Sequence, residues 1–147
     1  MAGVNTTATH KFVIVLNEKA PIGKLLSATG QIGMSLYNDA SQEQRASMSF
    51  IPFIGPADFS LITVSTCSFV VLAGSAGQLL TLYDAAYKQG LLTALFTSTM
   101  SYSGIEEDLI KKTAITPLEK VEPYGVGLFG KLEELAPLTK KFSVFKS

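Results

Sequence analysis

The spacing of hydrophobic positions changes several times along the chain, and each change predicts a different element. The segment 10–16 contains an unbroken apolar run over residues 12–16, which is typical of a strand that is covered by helices on both faces. From Gly23 onward the apolar residues recur at helical spacing, which predicts an amphipathic helix that ends before the polar segment 38–45. Gly30 and Gly33 lie inside this helix, and because glycine weakens a helix, they indicate close approach to a strand or another helix.

The middle of the chain combines turn residues with residues that favour strands. Two prolines and a glycine in residues 48–58 predict an irregular, partly buried loop. The β-branched and aromatic residues of segment 59–72 predict one or two strands, of which residues 68–72 are the best formed.

A capping box predicts where the next helix begins. Ser75 is followed three residues later by Gln78, which is the spacing of a reciprocal N-terminal cap, and Gly90 is placed to end the helix in a left-handed conformation. The later elements are predicted as strand 92–97, helix 104–112, strand 124–129, helix 131–138 and strand 142–145. Strands that alternate with helices predict an α/β fold, and we expect residues 1–147 to form one domain.

The charge balance and the single cysteine limit the partners and the cellular compartment that the sequence favours. Twelve basic and twelve acidic residues cancel, so no overall field gathers nucleic acid. Cys67 is the only cysteine and cannot form an internal disulfide, which suits a reducing cytoplasm. The first residues do not form a secretory leader, and no apolar stretch approaches the length of a membrane span. We therefore expect a cytoplasmic protein with no membrane partner.

Several common sites are excluded by spacing. Around the Gly-Lys pair of residues 23 and 24, a phosphate-binding loop would need glycine at Glu18 and a hydroxyl residue at Leu25. No glycine-rich dinucleotide motif follows a strand, and His10 with Cys67 falls short of any zinc ligand set. We predict neither a cofactor nor a metal. His10, the only histidine, precedes the first strand, which disfavours a Ser-His-Asp triad.

Two groups of polar residues remain as candidates for a site. Lys24 falls in the first turn of a helix, where the dipole disfavours a cation, so these residues alone favour a solvent-exposed lysine over an anion or carbonyl contact. Thr97, Ser98 and Thr99, with Ser101 and Ser103 beyond them, follow a strand at the end where α/β folds bind ligands, although such runs are also ordinary turn chemistry.

The order of segments resembles the type II peptidyl-tRNA hydrolase superfamily and, within it, the uncharacterised domain-of-unknown-function family numbered two-thousand. The likeness covers residues 11–146. KFVIVLN resembles the superfamily's first strand, and IGKLLSATGQ resembles its Gly-Lys helix start. FVVLAGSAGQLLTLYDAAYKQGLLTALFT resembles the strand, helix and strand before its catalytic loop, and VGLFGKLEELAPLTKKFSVFK resembles its closing segments.

The resemblance implies a fold and a role for one residue. It implies a three-layer α/β/α sandwich with a mixed sheet of about four strands, paired as a homodimer. It also matches Gly23 and Lys24 to the glycine and catalytic lysine of the hydrolases, in which the lysine acts on the ester that joins a peptide to tRNA.

The chain departs from the hydrolases at the rest of the site. Ala28 and Thr29 stand where the hydrolases have glutamine and cysteine. No aspartate occurs near Thr97 or Ser98, where the catalytic carboxylate would fall, and the next acids are Glu106 and Glu107. A general base is therefore missing from the expected position. The chain can therefore have the fold of the hydrolases without their reaction.

Three functions stay open from the sequence. The first is binding of a small or acyl-bearing anionic ligand by Gly23, Lys24, Thr97, Ser98 and Thr99. The second is a degenerate hydrolase of peptidyl-tRNA or a related ester, with tRNA as partner and Lys24 as catalytic residue. The third is a non-enzymatic, dimeric interaction protein that uses the apolar segment 49–59.

Overall fold

The computed structural model describes residues 8–101 and 105–146, which form a mixed α/β fold. The strands are β1 (His10–Asn17), β2 (Phe50–Ile54), β3 (Ser60–Ser65), β4 (Ser68–Gly74), β5 (Leu92–Thr97), β6 (Pro123–Lys131) and β7 (Ser143–Val144). The helices are α1 (Ile22–Asp39), α2 (Gln42–Met48), α3 (Ala76–Lys88), α4 (Glu106–Ile115) and α5 (Leu132–Thr139).

Five strands form the main sheet in the order β5-β6-β1-β4-β7, while β2 and β3 form a separate hairpin. β1 and β4 are parallel, β6 is antiparallel to both β1 and β5, and β7 is antiparallel to β4. β1, β4 and β5 therefore run in one direction, and their carboxyl ends share one edge of the sheet.

The two faces of the sheet carry separate hydrophobic cores. Phe12, Ile14 and Leu16 of β1 pack with the buried stripe of α1. Val13 and Val15 pack with residues of α3 and α5 on the other face. Both faces of β1 are thus covered, which is why its apolar run is unbroken.

Two glycines of β6 allow α1 to lie close to the sheet. A Cβ added at Gly127 would be 2.2 Å from Ile32 Cγ2, and one at Gly125 would be 2.9 Å from Ile32 Cδ1. The prediction that the helix glycines provide this approach is wrong for Gly30, because a Cβ there meets no atom within 4 Å. At Gly33 a Cβ would make only an ordinary contact, 4.0 Å from the Phe69 ring.

Several predicted elements are confirmed. The strands predicted at 10–16, 68–72, 92–97 and 124–129 are β1, β4, β5 and β6, and the helices from Gly23 and after Ser75 are α1 and α3. Ser75 and Gln78 form the reciprocal cap, and Gly90 ends α3 with a φ of 76°. The predicted helix 104–112 is observed as α4, with residue 104 outside the described residues.

Three predictions are corrected. Residues 48–58 were expected to form a partly buried loop, but they contain β2, whose five residues are all exposed. Pro52 is tolerated because it lies in an edge strand. The first helix was expected to end before the polar segment 38–45, but α1 continues to Asp39. The same segment contains the start of α2, which the Ser41–Gln44 capping box initiates. The sheet has five strands rather than about four, because the two-residue β7 adds to the edge of β4.

Nowhere in residues 8–101 and 105–146 is a helix long and apolar enough to cross a membrane.

Candidate functional site

A cleft of about 900 Å³ lies between α1, the end of β5 and α4. It opens beside the carboxyl end of β5, where α/β sheets place ligands. Its polar lining comes from the first three turns of α1, from both ends of α4 and from the turn after β5, and its apolar lining comes mainly from α4. This combination is typical of a pocket that surrounds an apolar ligand and fixes it with a few polar groups.

Lys24 contributes the positive charge of this cleft. It lies in the first turn of α1, and its Nζ donates a hydrogen bond of 2.8 Å to Ser101 Oγ. Within the described ranges no carboxylate lies within 4.0 Å of this ammonium group. Lys24 is largely exposed to solvent, as the residues alone indicated, and it also lines the cleft. Its ammonium group is therefore held in place without being neutralised.

The position of Lys24 depends on the connection between β1 and α1. Asn17 is buried at the end of β1, where its Nδ2 donates to the Pro123 carbonyl at 2.9 Å. Its Oδ1 accepts a hydrogen bond from the Lys19 amide at 3.0 Å. The Pro21 carbonyl then accepts the Lys24 amide at 3.0 Å. These bonds fix the start of α1 relative to β6, so the Lys24 side chain leaves the helix towards β5.

The threonines that were predicted at the site do not line the cleft together with Lys24. Thr97 Oγ1 and Thr99 Oγ1 lie 2.8 Å apart, and Thr113 Oγ1 lies 2.8 Å from Thr99 Oγ1. Thr113 Oγ1 also donates to the Leu109 carbonyl at 2.8 Å. We call this group the threonine chain. Thr97 and Thr99 are 2% and 5% exposed, so their hydroxyls join α4 to the end of β5 and do not face the cleft.

The two neighbouring serines have different positions: Ser98 lies outside the cleft lining, and Ser101 lines the cleft. The Ser98 amide donates to the Glu122 carbonyl at 2.9 Å, and Ser98 is not among the residues that line the cleft. Ser101, two residues beyond Thr99, lines it and binds Lys24. Ser103 lies outside the described residues.

The apolar wall of the cleft was missed by the sequence analysis. Phe96 and Met100 line it from the β5 side, and Leu109, Ile110 and Ala114 line it from α4. The sequence signal was weak: Ile105, Ile110 and Ile115 recur in a short, charged segment, and the structure leaves all three largely exposed. An exposed apolar residue is common on its own, however, and the sequence does not show which helix faces α4.

Acidic groups are distributed unequally around the cleft. Glu106 lines it from the first turn of α4, whereas Glu107 does not. The cleft thus has an ammonium group on one helical wall and a carboxylate on the other. Glu106 is the nearest acid in sequence to the position where the resemblance expects a catalytic aspartate.

A smaller cavity of about 170 Å³ adjoins the cleft and shares Met100 and Thr113 with it. Tyr83 of α3 lines this cavity. Burial raises the pKa of the Tyr83 phenol above its usual value, and the neighbouring Tyr87 raises it further. The phenol is therefore neutral at physiological pH.

His10 is not part of the cleft. It stacks on Phe129 with ring centroids 5.4 Å apart, at the start of β1. The carboxyl end of an eight-residue strand lies roughly 20–25 Å away. The structure therefore does not bring the only histidine to Lys24 or to the hydroxyl residues.

Comparison with known proteins identifies relatives of this fold. A protein of unknown function from Agrobacterium tumefaciens strain C58 has a solved structure that matches with a TM-score of 0.78 at 14% identity, covering 94% of this chain and 98% of that chain. At that identity the likeness shows the fold alone. No curated protein matches the chain. The model of the DUF2000 family, described as a protein of unknown function, matches residues 10–146, and the chain therefore belongs to the DUF2000 family.

Proposed function

We propose that the protein binds a small anionic ligand with an apolar body, such as an acyl chain that ends in a carboxylate. The observation that carries this proposal is the pairing of an un-neutralised ammonium group with an apolar cleft of about 900 Å³. Lys24 and Ser101 bind the anionic end, since a hydroxyl and an ammonium group both donate to an oxyanion. The apolar side chains of α4 and β5 bind the rest of the ligand.

The geometry supports an anion more than a neutral ligand. Lys24 Nζ has three protons and gives one to Ser101 Oγ, so two remain for a ligand. The amino-terminal turn of α1 adds a favourable field for negative charge. The Gly23 position in the lining leaves the backbone of this turn accessible, because glycine has no side chain to cover it.

Titration calorimetry with decanoate, decanol and decylamine tests this function. We expect decanoate to bind, and we expect Lys24→Met to weaken its binding about 10- to 100-fold, because a charged hydrogen bond contributes about 1.5–3 kcal/mol. Lys140→Met removes a lysine that is exposed beyond α5 and should leave the affinity unchanged. Equal binding of decanol and decanoate, or an unaltered affinity in Lys24→Met, would contradict the proposal.

We further propose that the chain shares the three-layer α/β/α arrangement of the type II peptidyl-tRNA hydrolases. What supports this is α1 on one face of the sheet, α3 and α5 on the other, and Lys24 at the first turn of α1 beside the cleft. Ester cleavage is the second candidate function, favoured by Glu106 on the second helical wall. The same variants assayed on peptidyl-tRNA separate the two functions, because a binding protein releases no peptide above the uncatalysed rate.

A further inference from the structure

The β2–β3 hairpin exposes an apolar surface that the rest of the chain does not cover. Eight large apolar side chains of segment 50–64 are between 41% and 70% exposed: Phe50, Ile51, Phe53, Ile54, Phe59, Leu61, Ile62 and Val64. Asp58 is the only charged residue between Phe50 and Phe69. A two-stranded hairpin is at best marginally stable in water on its own, and contiguous apolar surface of this kind marks an interaction site.

The hydrogen bonds of the hairpin show which backbone groups remain free. The Thr66 amide donates to the Ser49 carbonyl at 2.8 Å, so Ser49 and Thr66 form a hydrogen-bonded pair at the hairpin base. Such pairs alternate with non-hydrogen-bonded pairs along antiparallel strands. In the observed register Pro52 lies opposite Thr63, three positions from the base pair, and is therefore in a non-hydrogen-bonded pair. The amide and carbonyl of Thr63 point away from β2.

The two outer edges of the hairpin are not equivalent. On β2 the outward positions are Phe50 and Pro52, and Pro52 has no amide proton and interrupts a ladder. On β3 the outward positions include Thr63 and Ser65, and β3 contains neither proline nor charge. In the described part of the chain β3 has no neighbour besides β2. An uncharged free edge of this kind is a template for pairing with another strand.

We propose that β3 pairs with β3 of a second copy of this chain, in an antiparallel, two-fold symmetric dimer. An axis that passes between the two Thr63 residues brings these outward groups together, so that each amide donates to the carbonyl of the other. Two hairpins then form one four-stranded sheet, and Pro52 interrupts each of its outer edges. A two-fold axis makes the contact self-complementary and limits it to two copies.

This register also covers the tip of the hairpin. It carries Phe59, which is 70% exposed, to the base of the second copy's hairpin. There a groove of about 450 Å³ lies between the hairpin and α1, lined mainly by apolar groups that include Tyr37, Phe50 and Phe69. The aromatic side chain with the greatest exposure in segment 50–64 thus meets an apolar groove in each copy.

The exposed area is of the size that a dimer needs. The three phenylalanines of segment 50–59 are 43%, 48% and 70% exposed, which amounts to roughly 300 Å² if each side chain has about 200 Å² of surface. Five aliphatic side chains, 41–66% exposed, raise the apolar area that the hairpin offers towards the ~800 Å² per partner of a standard interface. Edge pairing buries the part of this area that lies beside β3.

Sedimentation velocity on the full chain over a hundredfold range of concentration tests this dimer. We expect the wild type to pass from monomer to dimer and Thr63→Pro, which removes the outward amide, to raise the dissociation constant at least tenfold. Thr63→Val keeps the amide and should dimerise like the wild type.

Hydrogen exchange of the wild type keeps the test independent of how well the proline variant folds. We expect the Thr63 amide to exchange at least tenfold more slowly at dimer-forming concentrations than in the monomer. A wild type that stays monomeric throughout would overturn the proposal, including a monomer that binds lipid vesicles through the hairpin. A dimer in which the Thr63 amide exchanges as fast as in the monomer would overturn it as well.

Discussion

Lys24 is largely exposed, yet its ammonium group has a defined partner at 2.8 Å. From the sequence its place in the first turn of a helix could be predicted, because the apolar spacing fixes where α1 begins. Its contact with Ser101 could not, since the two residues are 77 positions apart and meet only through the order of the strands. Thr97 and Thr99 were placed correctly at the end of a strand, but their burial depends on the packing of α4.

The effect of replacing a glycine by alanine depends on whether the added Cβ would contact a neighbouring side chain. We expect Gly127→Ala to lower the free energy of unfolding by about 1–3 kcal/mol, because its Cβ would lie 2.2 Å from Ile32 Cγ2 and the core would be overpacked. We expect Gly30→Ala to raise it by about 0.5–1 kcal/mol, since that glycine is exposed within α1 and its Cβ meets nothing. Urea unfolding of both variants measures the difference, and a destabilised Gly30→Ala would contradict the assignment.

At the scale of elements, α4 depends on polar contacts more than on core packing. None of its ten residues is buried, and the threonine chain joins it to β5. The sequence predicted the helix through its acidic start and basic end. It did not predict that α4 forms one wall of a cleft, because apolar residues exposed on one helix do not identify the surface that they face.

The threonine chain should therefore fix the position of α4, which forms one wall of the cleft. We expect Thr113→Val to reduce the free energy of unfolding by about 1–2 kcal/mol, because the Thr99 hydroxyl loses a partner in a buried setting. Decanoate binding should weaken as the wall loosens, and amide exchange in α4 should accelerate. Thr116→Val is the matched control, because the Thr116 hydroxyl bonds only the Lys112 carbonyl within α4. Equal exchange rates in α4 of both variants would contradict this role.

At the scale of the whole molecule, the proposed dimer explains why the hairpin was misread. Proline, glycine and alternating apolar residues predict a partly buried loop if the chain is considered alone. The apolar side chains of β3 are exposed in a single copy. In the proposed dimer a second copy covers part of them, as expected for a strand of this composition. The main strands and helices, and the burial of both faces of β1, follow from the hydrophobic pattern, whereas the order of the strands does not. The apolar character of segment 49–59 was a signal for an interaction surface, but the pattern did not show which strand edge stays free.

Pro52 should restrict the assembly to two copies. We expect Pro52→Thr to restore an amide on the outer edge of β2, so that both edges of each hairpin can pair and larger species form. Light scattering after size-exclusion chromatography measures this, with Pro56→Thr as control because Pro56 lies in the turn Pro56–Asp58. A Pro52→Thr variant that remains strictly dimeric would show that the β2 edge is blocked by something other than the proline.

The position of β1 in the sheet also determines when the molecule can be completed during its synthesis. β1 pairs with β4 on one side, but its other neighbour, β6, begins 106 residues after Asn17. A nascent chain that has produced β1, α1, β4 and α3 therefore has an open edge on its most apolar strand. That edge closes only when β6 has left the ribosome, and such exposed edges are prone to aggregate. This edge therefore stays open for longer than it would in a protein whose first strand pairs only with the strands that follow it directly.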